Sequence, residues 1–246
     1  MGQAWAIANA LSMSGCDLYR SAEALCHNFT GMSGDTQHIV FCWVEGWALA
    51  RGVSPPVPDY GGYRTDVGWP DQEARYVFAG PVAGYQYLAQ TITRPYQHLK
   101  VCAAPEDVRD LLPARWRIQP VGYMMTGPQR MQRIVQAMPH GYYLHVESKG
   151  AVTIAKILIA EHEIAAIGRV VFAGDHAVYD RIETHPDHRR KGLASLVMYA
   201  LEEAGLAKGI CRSVLVATSQ GRALYERLGW ELLSLYTTAV IFPEGA

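Results

Sequence analysis

A basic, glycine-containing turn in the second half of the chain has the residue types that bind phosphate. It reads His185-Pro186-Asp187-His188-Arg189-Arg190-Lys191-Gly192-Leu193-Ala194 and precedes a run with helical periodicity. The first amides of a helix lack backbone partners and carry a partial positive charge, so such a turn can hold an anion. Gly192 and Ala194 are small enough to let a diphosphate approach the backbone. The neighbouring cations add local positive charge, and they are Arg189, Arg190 and Lys191.

Two common phosphate-binding loops do not fit this turn. A Walker A loop needs Gly-Lys-Ser/Thr after an earlier glycine, whereas the order here is Lys191-Gly192-Leu193. A dinucleotide fingerprint needs three glycines that open a helix in a parallel βαβ unit, and the runs before this turn predict antiparallel strands instead. Taken alone, the turn could equally cap a helix without binding a ligand.

A second motif follows further along the chain. It is Ala217-Thr218-Ser219-Gln220-Gly221-Arg222-Ala223-Leu224-Tyr225-Glu226-Arg227-Leu228-Gly229-Trp230, a strand end, a turn and a helix that carries Leu-Tyr and ends in Gly and an aromatic. Together with Arg189-x-x-Gly192-x-Ala194, it resembles the two acyl-CoA signatures of the GNAT superfamily of N-acetyltransferases. The two matches have the right order and distance, which is more specific than either alone. The resemblance covers about residues 130–242.

The resemblance implies how the chain would hold acetyl-CoA as a cosubstrate. The pyrophosphate would lie on the backbone N–H groups from Arg190 to Ala194, while Arg189 shapes the loop and the Ser195 hydroxyl adds a bond. The pantetheine arm would pair like an added strand with main-chain groups near Thr184. The implied binding residues are Ile182, Glu183, Thr184, Arg189, Arg190, Lys191, Gly192, Leu193, Ala194 and Ser195.

Acyl transfer to an amine requires a neutral amine, a polarised thioester carbonyl and a proton for the departing thiolate. The resemblance implies Tyr225 as the acid, and a free phenol has a pKa of about 10, close to that of a thiol. The alternative is that Tyr225 is a core aromatic. For the base, period-two alternation predicts Asp180, Ile182 and Thr184 on one strand face and Glu183 on the other. This favours Asp180 as the base, with Glu183 second; either could instead be a solvated surface carboxylate.

The histidines and aromatics near these motifs have structural interpretations as well. His176, His185 and His188 can titrate near neutral pH, but each is more often structural than catalytic at a turn or strand start. Four aromatics of the first half could line a wall of the acceptor pocket: Trp43, Trp47, Trp69 and Tyr63. Aromatic residues are, however, more often part of the core.

Hydrophobic periodicity predicts the elements that position the motifs. Before the basic turn, four strand-like runs joined by short turns predict an antiparallel meander at 142–147, 151–160, 164–172 and 176–184. After it, a helix of about four turns is followed by a strand, a second helix and one or two closing strands at 213–217, 221–228 and 232–242. This order predicts an α+β fold, with a mixed, mostly antiparallel sheet flanked by helices.

The first half of the chain carries no motif that indicates a chemistry. Pro and Gly punctuation divides the chain before residue 140 into predicted helices at 17–29, 84–92, 105–112 and 129–138 and predicted strands at 39–47, 75–79 and 99–103. We therefore predict an N-terminal mixed α/β domain at 1–126 and an acyl-CoA-binding catalytic domain at 127–246. The alternative is that the first domain is a degenerate copy of the second. The same strand order without an Arg-x-x-Gly-x-Gly/Ala loop would support this alternative, and residues 1–125 contain no such loop.

Composition limits the partners of this 246-residue chain. Its net charge is −1 and half of its residues are hydrophobic, so it has no single-sign field to attract nucleic acid or an acidic membrane. The five cysteines are scattered, without the paired spacing of a zinc site or a disulfide framework. The first residues do not have the pattern of a signal peptide. We expect a cytoplasmic protein with reduced cysteines and no metal.

These features predict an N-acetyltransferase that moves an acetyl group directly from acetyl-CoA to a primary amine of a small molecule or peptide. The alternative is a non-catalytic acyl-CoA sensor, in which the loop is present but no acid and base converge. The presence of Tyr225 argues against the sensor. The sequence leaves open the acceptor, the acyl length and the oligomeric state, with a homodimer among the options.

Overall fold

The computed structural model describes residues 34–134, 137–159, 163–243 and 245. Within these ranges the helices are α1 (Gly34–Arg51), α2 (Ala83–Thr91), α3 (Pro105–Val108), α4 (Leu193–Leu206) and α5 (Ser219–Arg227). The strands are β1 (Val57–Asp59), β2 (Gly62–Trp69), β3 (Gln72–Phe78), β4 (Gln97–Cys102), β5 (Trp116–Ile118), β6 (Gly122–Gly127), β7 (Tyr143–Lys149), β8 (Val152–Ile159), β9 (Glu163–Ala173), β10 (His176–Thr184), β11 (Arg212–Ala217) and β12 (Glu231–Ile241).

All of these strands belong to one sheet. Its order is β1-β2-β3-β4-β12-β6-β11-β10-β9-β8-β7, and β5 pairs with β12 beside this path. Among the described pairs only β3 with β4 and β10 with β11 are parallel. The predicted α+β fold, with a mostly antiparallel sheet flanked by helices, is therefore confirmed.

The closing strand β12 connects the two halves of the sheet. It pairs with β4 on one side and with β6 on the other, so the sheet is continuous across the boundary predicted at residue 126. The division into two domains stays a prediction. Strand order repeats between the halves, because an antiparallel pair, a helix and a parallel strand occur as β2-β3-α2-β4 and again as β9-β10-α4-β11.

The predicted strand at 39–47 is wrong, because this segment lies inside helix α1. Its buried residues recur at helical spacing, and they are Val40, Trp43, Val44, Trp47 and Ala48. A continuous apolar run does not by itself distinguish a buried strand from a buried helix. α1 packs on sheet residues from both halves, including Val77, Val178 and Val214. The predicted helix at 17–29 lies outside the described residues.

The predicted helix at 129–138 is also wrong for the residues described there, which are irregular. Their amides are used by tertiary hydrogen bonds. Met131 N–H donates to the buried carboxylate of Glu202, and Ile134 N–H donates to Tyr199 Oη at 2.8 Å. These bonds hold the segment along α4 and replace the repeating pattern that a helix requires.

Helix α4 covers the opposite face of the sheet from α1. Its buried stripe includes Leu193, Val197, Met198 and Leu201, which pack against the sheet in a core that also contains Tyr179. Burying each such side chain stabilises the fold by about 1.5–3 kcal/mol. The sheet is therefore held between two helices that meet it from opposite sides. In the described residues, no helix is both long and apolar enough to cross a membrane.

Candidate active site

The parallel strands β10 and β11 separate soon after they begin. Residues 176–178 pair with residues 212–214, and beyond this point β10 pairs with β9 and β11 with β6. A wedge therefore opens between residues 179–184 and residues 215–217. The β10 side of this wedge has backbone N–H and C=O groups without a strand partner in the described part of the chain. Such an edge can accept an extended ligand in place of a strand.

A β-bulge lies in β10 where the wedge opens. Asp180 pairs with Arg169 and Glu183 with Ile167, so Arg181 and Ile182 oppose a single residue of β9. Arg181 has a φ of 52°, in the left-handed region. The bulge breaks the alternation of side chains along the strand.

Because of the bulge, the two carboxylates are oriented differently from the prediction. Arg169 and Ile167 are two residues apart in β9 and share a face, so Asp180 and Glu183 also share a face. Ile182 points the other way and packs in the core beneath α4. The prediction that Asp180 and Ile182 share a face opposite Glu183 is therefore wrong. Both carboxylates lie on the α1 side of the sheet.

Asp180 forms a two-pronged ion pair with Arg51 at the end of α1. Arg51 Nε and Nη2 donate to the two carboxylate oxygens at 2.6 and 2.8 Å. The side chain of Asp180 is only 14% exposed and that of Arg51 only 19%. The guanidinium carbon also lies 5.5 Å from the ring centre of Trp47 and 5.9 Å from that of Trp69. The pair fixes the orientation of Asp180 through two charge-assisted hydrogen bonds.

Tyr225 of α5 lies at the inner end of the wedge. Its side chain is 7% exposed, and its ring lies 6.0 Å from that of Trp230, which forms an edge-to-face contact with Tyr179 of β10. Burial raises the pKa of Tyr225, and the negative charge of Asp180 raises that pKa further. The phenol therefore stays protonated at neutral pH, as a proton donor must.

The basic turn forms the start of α4. Arg190 and Gly192 adopt left-handed conformations with φ of 60° and 71°, and Gly192 is the N-cap residue. Among the described residues, no side chain caps the first turn of the helix. Leu193 is buried and anchors the helix, so it can offer only its backbone amide, and Ser195 is also buried. An uncapped helix start that follows exposed basic residues is suited to bind a diphosphate.

A hydrogen-bonded chain of side chains fixes the shape of the turn. Lys191 Nζ donates to Tyr142 Oη at 2.8 Å, and this hydroxyl lies 2.8 Å from His188 Nδ1. His188 Nε2 is 3.4 Å from a carboxylate oxygen of Glu163. Arg189 Nε donates to the carbonyl oxygen of Thr184 at 3.3 Å, which connects the turn to the end of β10. Sequence reasoning missed Tyr142, whose position beside the turn has no signal in the local pattern.

The four aromatics considered for the acceptor wall lie around α1. Trp43 and Trp47 are buried in the core, while Trp69 and Tyr63 are partly exposed. Arg75 is buried beside them, with its guanidinium carbon 3.5 Å from the ring centre of Trp47, and burial lowers its pKa to about 10. The α1 side of the wedge thus combines indole rings with arginine side chains.

Comparison with known proteins identifies the fold and one domain. Residues 153–232 match the model of the acetyltransferase (GNAT) domain. A search of curated proteins gives no match. A GCN5-related N-acetyltransferase from Kribbella flavida has a similar structure, with a TM-score of 0.63 and 15% identity over 87% of this chain and 98% of its own.

Two further solved structures have the same fold. A GCN5-related N-acetyltransferase-like protein from Streptococcus suis 89/1591 has a TM-score of 0.53 and 13% identity over 92% of this chain and 99% of its own. A GCN5-related N-acetyltransferase from Sphaerobacter thermophilus has a TM-score of 0.52 and 11% identity over 74% of this chain and 78% of its own. At these identities the likeness shows the fold alone, and its coverage extends into the first half of the chain.

Proposed function

Because residues 153–232 form a GNAT acetyltransferase domain, we propose that the protein is an N-acetyltransferase that moves an acetyl group from acetyl-CoA to a primary amine. The observation that carries the proposal is the wedge between β10 and β11, which has the uncapped start of α4 at one side and the buried Tyr225 at its inner end. The anion site can hold the pyrophosphate of coenzyme A, the strand edge can pair with its pantetheine arm, and the protonated phenol can supply a proton to the departing thiolate.

The residues of the wedge fit acetyl-CoA in the following way. Backbone amides from Arg190 to Ala194 bind the pyrophosphate, with exposed Arg189 and Lys191 adding positive charge. The free edge of β10 around Ile182 and Thr184 pairs with the amides of the pantetheine arm. Ser195 is buried, so its hydroxyl contributes less than the backbone does.

Tyr225 acts as the general acid. It donates its phenolic proton to the departing sulfur while the C–N bond to the acceptor amine forms and the C–S bond of the thioester breaks. A carboxylate takes the proton that the amine loses, and solvent then returns a proton to Tyr225. The products are an N-acetylated acceptor and free coenzyme A, so atoms and charge balance.

We assign the base to Glu183 and an anchoring role to Asp180. Both oxygens of Asp180 already accept hydrogen bonds from Arg51, so this carboxylate is engaged by the end of α1. Its fixed negative charge can still bind the cationic form of an amine. Glu183 shares the face of Asp180 and is exposed, so it can exchange protons with the acceptor and with water.

The first half of the chain acts as a degenerate copy of the same fold that does not bind the cosubstrate. Its strand order repeats that of the second half, but its equivalent turn between β3 and α2 has no basic residue. The start of α2 is also filled, since a Cβ on Gly84 would lie 1.7 Å from the carbonyl oxygen of Tyr60. We place the enzyme in the cytoplasm, which agrees with the free thiols of Cys42, Cys102 and Cys211.

The function is tested by the release of free thiol when the full-length protein is mixed with acetyl-CoA and a panel of primary amines. The panel includes small diamines, amino acids, aminoglycosides and peptides with free amino termini. Thiol release that depends on one amine class, with mass spectrometry finding one added acetyl group, supports the transferase. Binding of acetyl-CoA without turnover on any amine would favour the sensor, and absence of binding would refute both.

A further inference from the structure

Four potential metal ligands meet far from the wedge, at the other end of β10. His38 and Cys42 are four residues apart and lie on one face of α1. Asp175 and His176 lie where β9 turns into β10. His38 Nε2 and His176 Nδ1 are each 2.7 Å from Asp175 Oδ1, and Cys42 Sγ is 3.6 Å from His38 Nε2 and 4.0 Å from Asp175 Oδ1. One ligand atom from each residue lies within 4.8 Å of all the others.

We propose that His38, Cys42, Asp175 and His176 bind a zinc ion. Imidazole nitrogen, thiolate sulfur and carboxylate oxygen are the ligands that Zn²⁺ prefers, and four protein ligands complete a tetrahedral site. With metal–ligand bonds of about 2.0–2.3 Å, the ligand atoms of such a site are roughly 3.2–3.8 Å apart. The observed separations bracket this range, so side-chain shifts of less than about 1 Å would complete the coordination.

Burial and charge agree with a cation at this position. Cys42 is fully buried and His176 is 3% exposed, whereas the carboxylate of Asp175 is 48% exposed and offers a path from solvent. Arg212 Nη1 donates to Asp175 Oδ2 at 3.2 Å, which leaves Oδ1 directed at the other three ligands. The carboxylates of Asp175 and Glu45 add negative charge around Cys42. These charges would attract a divalent cation.

The same cluster does not have the geometry of a nucleophilic cysteine site. Both Cys42 Sγ and Asp175 Oδ1 approach His38 Nε2 most closely, whereas a relay needs them on opposite ring nitrogens. Cys42 is also closed to solvent, so a substrate could not reach its sulfur. A closed set of four protein ligands is typical of structural zinc, which stabilises a fold and leaves no open position for chemistry.

The zinc site would fix the first half of α1 to the start of β10. Arg51 already fixes the end of α1 to Asp180 of the same strand. Cys42 lies 133 residues from Asp175, and this long-range clamp would hold the helix on β10. The same helix presents Arg51 to Asp180, so metal binding would also hold the α1 side of the wedge in place. The scattered cysteines gave no sign of this site, because its ligands are distant in sequence.

A second group of ligands must be distinguished in any test. Glu163, His185 and His188 also bring three ligand atoms within 4.8 Å of one another, beside the basic turn. Glu163 and His185 are exposed, and His188 already contacts Tyr142. This group contains no thiol, so a spectroscopic signal from a metal–sulfur bond separates the two.

The experiment titrates Zn²⁺ and then Co²⁺ into full-length protein that has been stripped by a chelator, with a chromophoric chelator as competitor. We expect one zinc ion per chain and, for cobalt, a sulfur-to-metal charge-transfer band with tetrahedral d–d bands. Cys42→Ser and Asp175→Asn should each weaken zinc binding by at least about 10–100-fold, and Cys42→Ser should abolish the charge-transfer band. Asp175→Asn changes a half-exposed side chain, so it tests the site even if Cys42→Ser does not fold.

Two matched controls complete the design. Cys211→Ser removes an exposed thiol outside the cluster, and His188→Gln alters the competing group. Both should leave zinc affinity and the cobalt spectrum unchanged. Failure to bind zinc, binding that Cys42→Ser and Asp175→Asn leave intact, or loss of binding in His188→Gln would each overturn the proposal.

Discussion

Arg51, the last residue of α1, holds both carboxylate oxygens of Asp180, the residue at which β10 begins to bulge, at 2.6 and 2.8 Å. This contact joins a helix from the first half of the chain to a strand in the region that matches the acetyltransferase (GNAT) domain model, across 129 residues. The ion pair lies next to the wedge, and the negative charge of Asp180 raises the pKa of Tyr225. The first half of the chain therefore contributes directly to the electrostatics of the candidate active site.

Asp180→Asn should lower the free energy of unfolding by about 1–3 kcal/mol, because it leaves Arg51 partly buried without its anion. The loss is smaller than for a fully buried pair, since solvent reaches both side chains. Denaturant unfolding measures the change. Asp66→Asn is the matched control, since Asp66 pairs with Arg64 at the surface, with 60% and 41% exposure, and should change stability by less than about 0.5 kcal/mol. Equal effects of the two substitutions would contradict a stabilising role for the Arg51 pair.

Tyr225→Phe should slow thiol release by about 10²–10⁴-fold, because it removes the proton donor while it keeps the aromatic ring. Affinity for acetyl-CoA, measured by calorimetry, should change by less than about threefold, since the ring contact with Trp230 is retained. Tyr85→Phe is the control, as its buried hydroxyl has no hydrogen-bond partner in the described residues and lies in the first half of the sheet. Near-normal turnover by Tyr225→Phe would exclude it as the acid.

Glu183→Gln and Asp180→Asn should affect different kinetic constants. If Glu183 accepts the proton of the amine, Glu183→Gln lowers kcat by about 10²-fold or more and changes KM for the amine little. If Asp180 anchors the cationic amine, Asp180→Asn mainly raises that KM. Steady-state kinetics with the preferred amine measures both. The opposite pattern, with kcat lost in Asp180→Asn and unaffected in Glu183→Gln, would assign the base to Asp180.

The pH dependence of kcat should reflect the raised pKa of Tyr225. Burial and the nearby anion of Asp180 both disfavour the phenolate, so the proton-donating form persists above the ordinary phenol pKa of about 10. We therefore expect no loss of kcat on the alkaline side up to about pH 10. Removing the anion in Asp180→Asn should move the alkaline decline toward lower pH. A decline at the same pH in both proteins would argue that the group titrating there is not Tyr225.

Gly192→Ala should weaken acetyl-CoA binding at least about tenfold, because a Cβ at the N-cap strains the left-handed backbone and crowds the anion site. Gly209→Ala is the matched control. Gly209 has a similar φ of 74° and lies beyond the other end of α4, and its added Cβ would meet no atom of the described residues within 4 Å. Both variants should lose about 1–2 kcal/mol of stability, but only Gly192→Ala should lose affinity. Equal affinities of the two variants for acetyl-CoA would show that the turn does not bind the cosubstrate.

Sequence reasoning predicted the parts of the fold that depend on local pattern. The meander, α4 and α5 follow from hydrophobic periodicity, and the basic turn follows from its residue types. Prediction of 39–47 as a strand failed because an apolar run fits either a strand or a helix until its partners are known. Prediction of a helix at 129–138 failed because its amides bond to Glu202 and Tyr199, which are distant in sequence.

The features of the site that could not be predicted from the sequence depend on long-range contacts. The bulge at Arg181 is visible only in the register with β9, and it reverses which side chains share a face with Asp180. Neither the Arg51 pair nor the cluster around Cys42 has a local signal, because each joins residues more than a hundred positions apart. The resemblance to known signatures predicted where the cosubstrate would bind but gave no information on these contacts.

The most direct test is a calorimetric titration of the full-length protein with acetyl-CoA, repeated with Gly192→Ala and Gly209→Ala. The proposal predicts binding of one acetyl-CoA per chain with micromolar affinity, retained in Gly209→Ala and weakened at least about tenfold in Gly192→Ala. A titration without binding heat at several temperatures, or an affinity that Gly192→Ala leaves unchanged, would contradict the claim that the start of α4 binds the coenzyme.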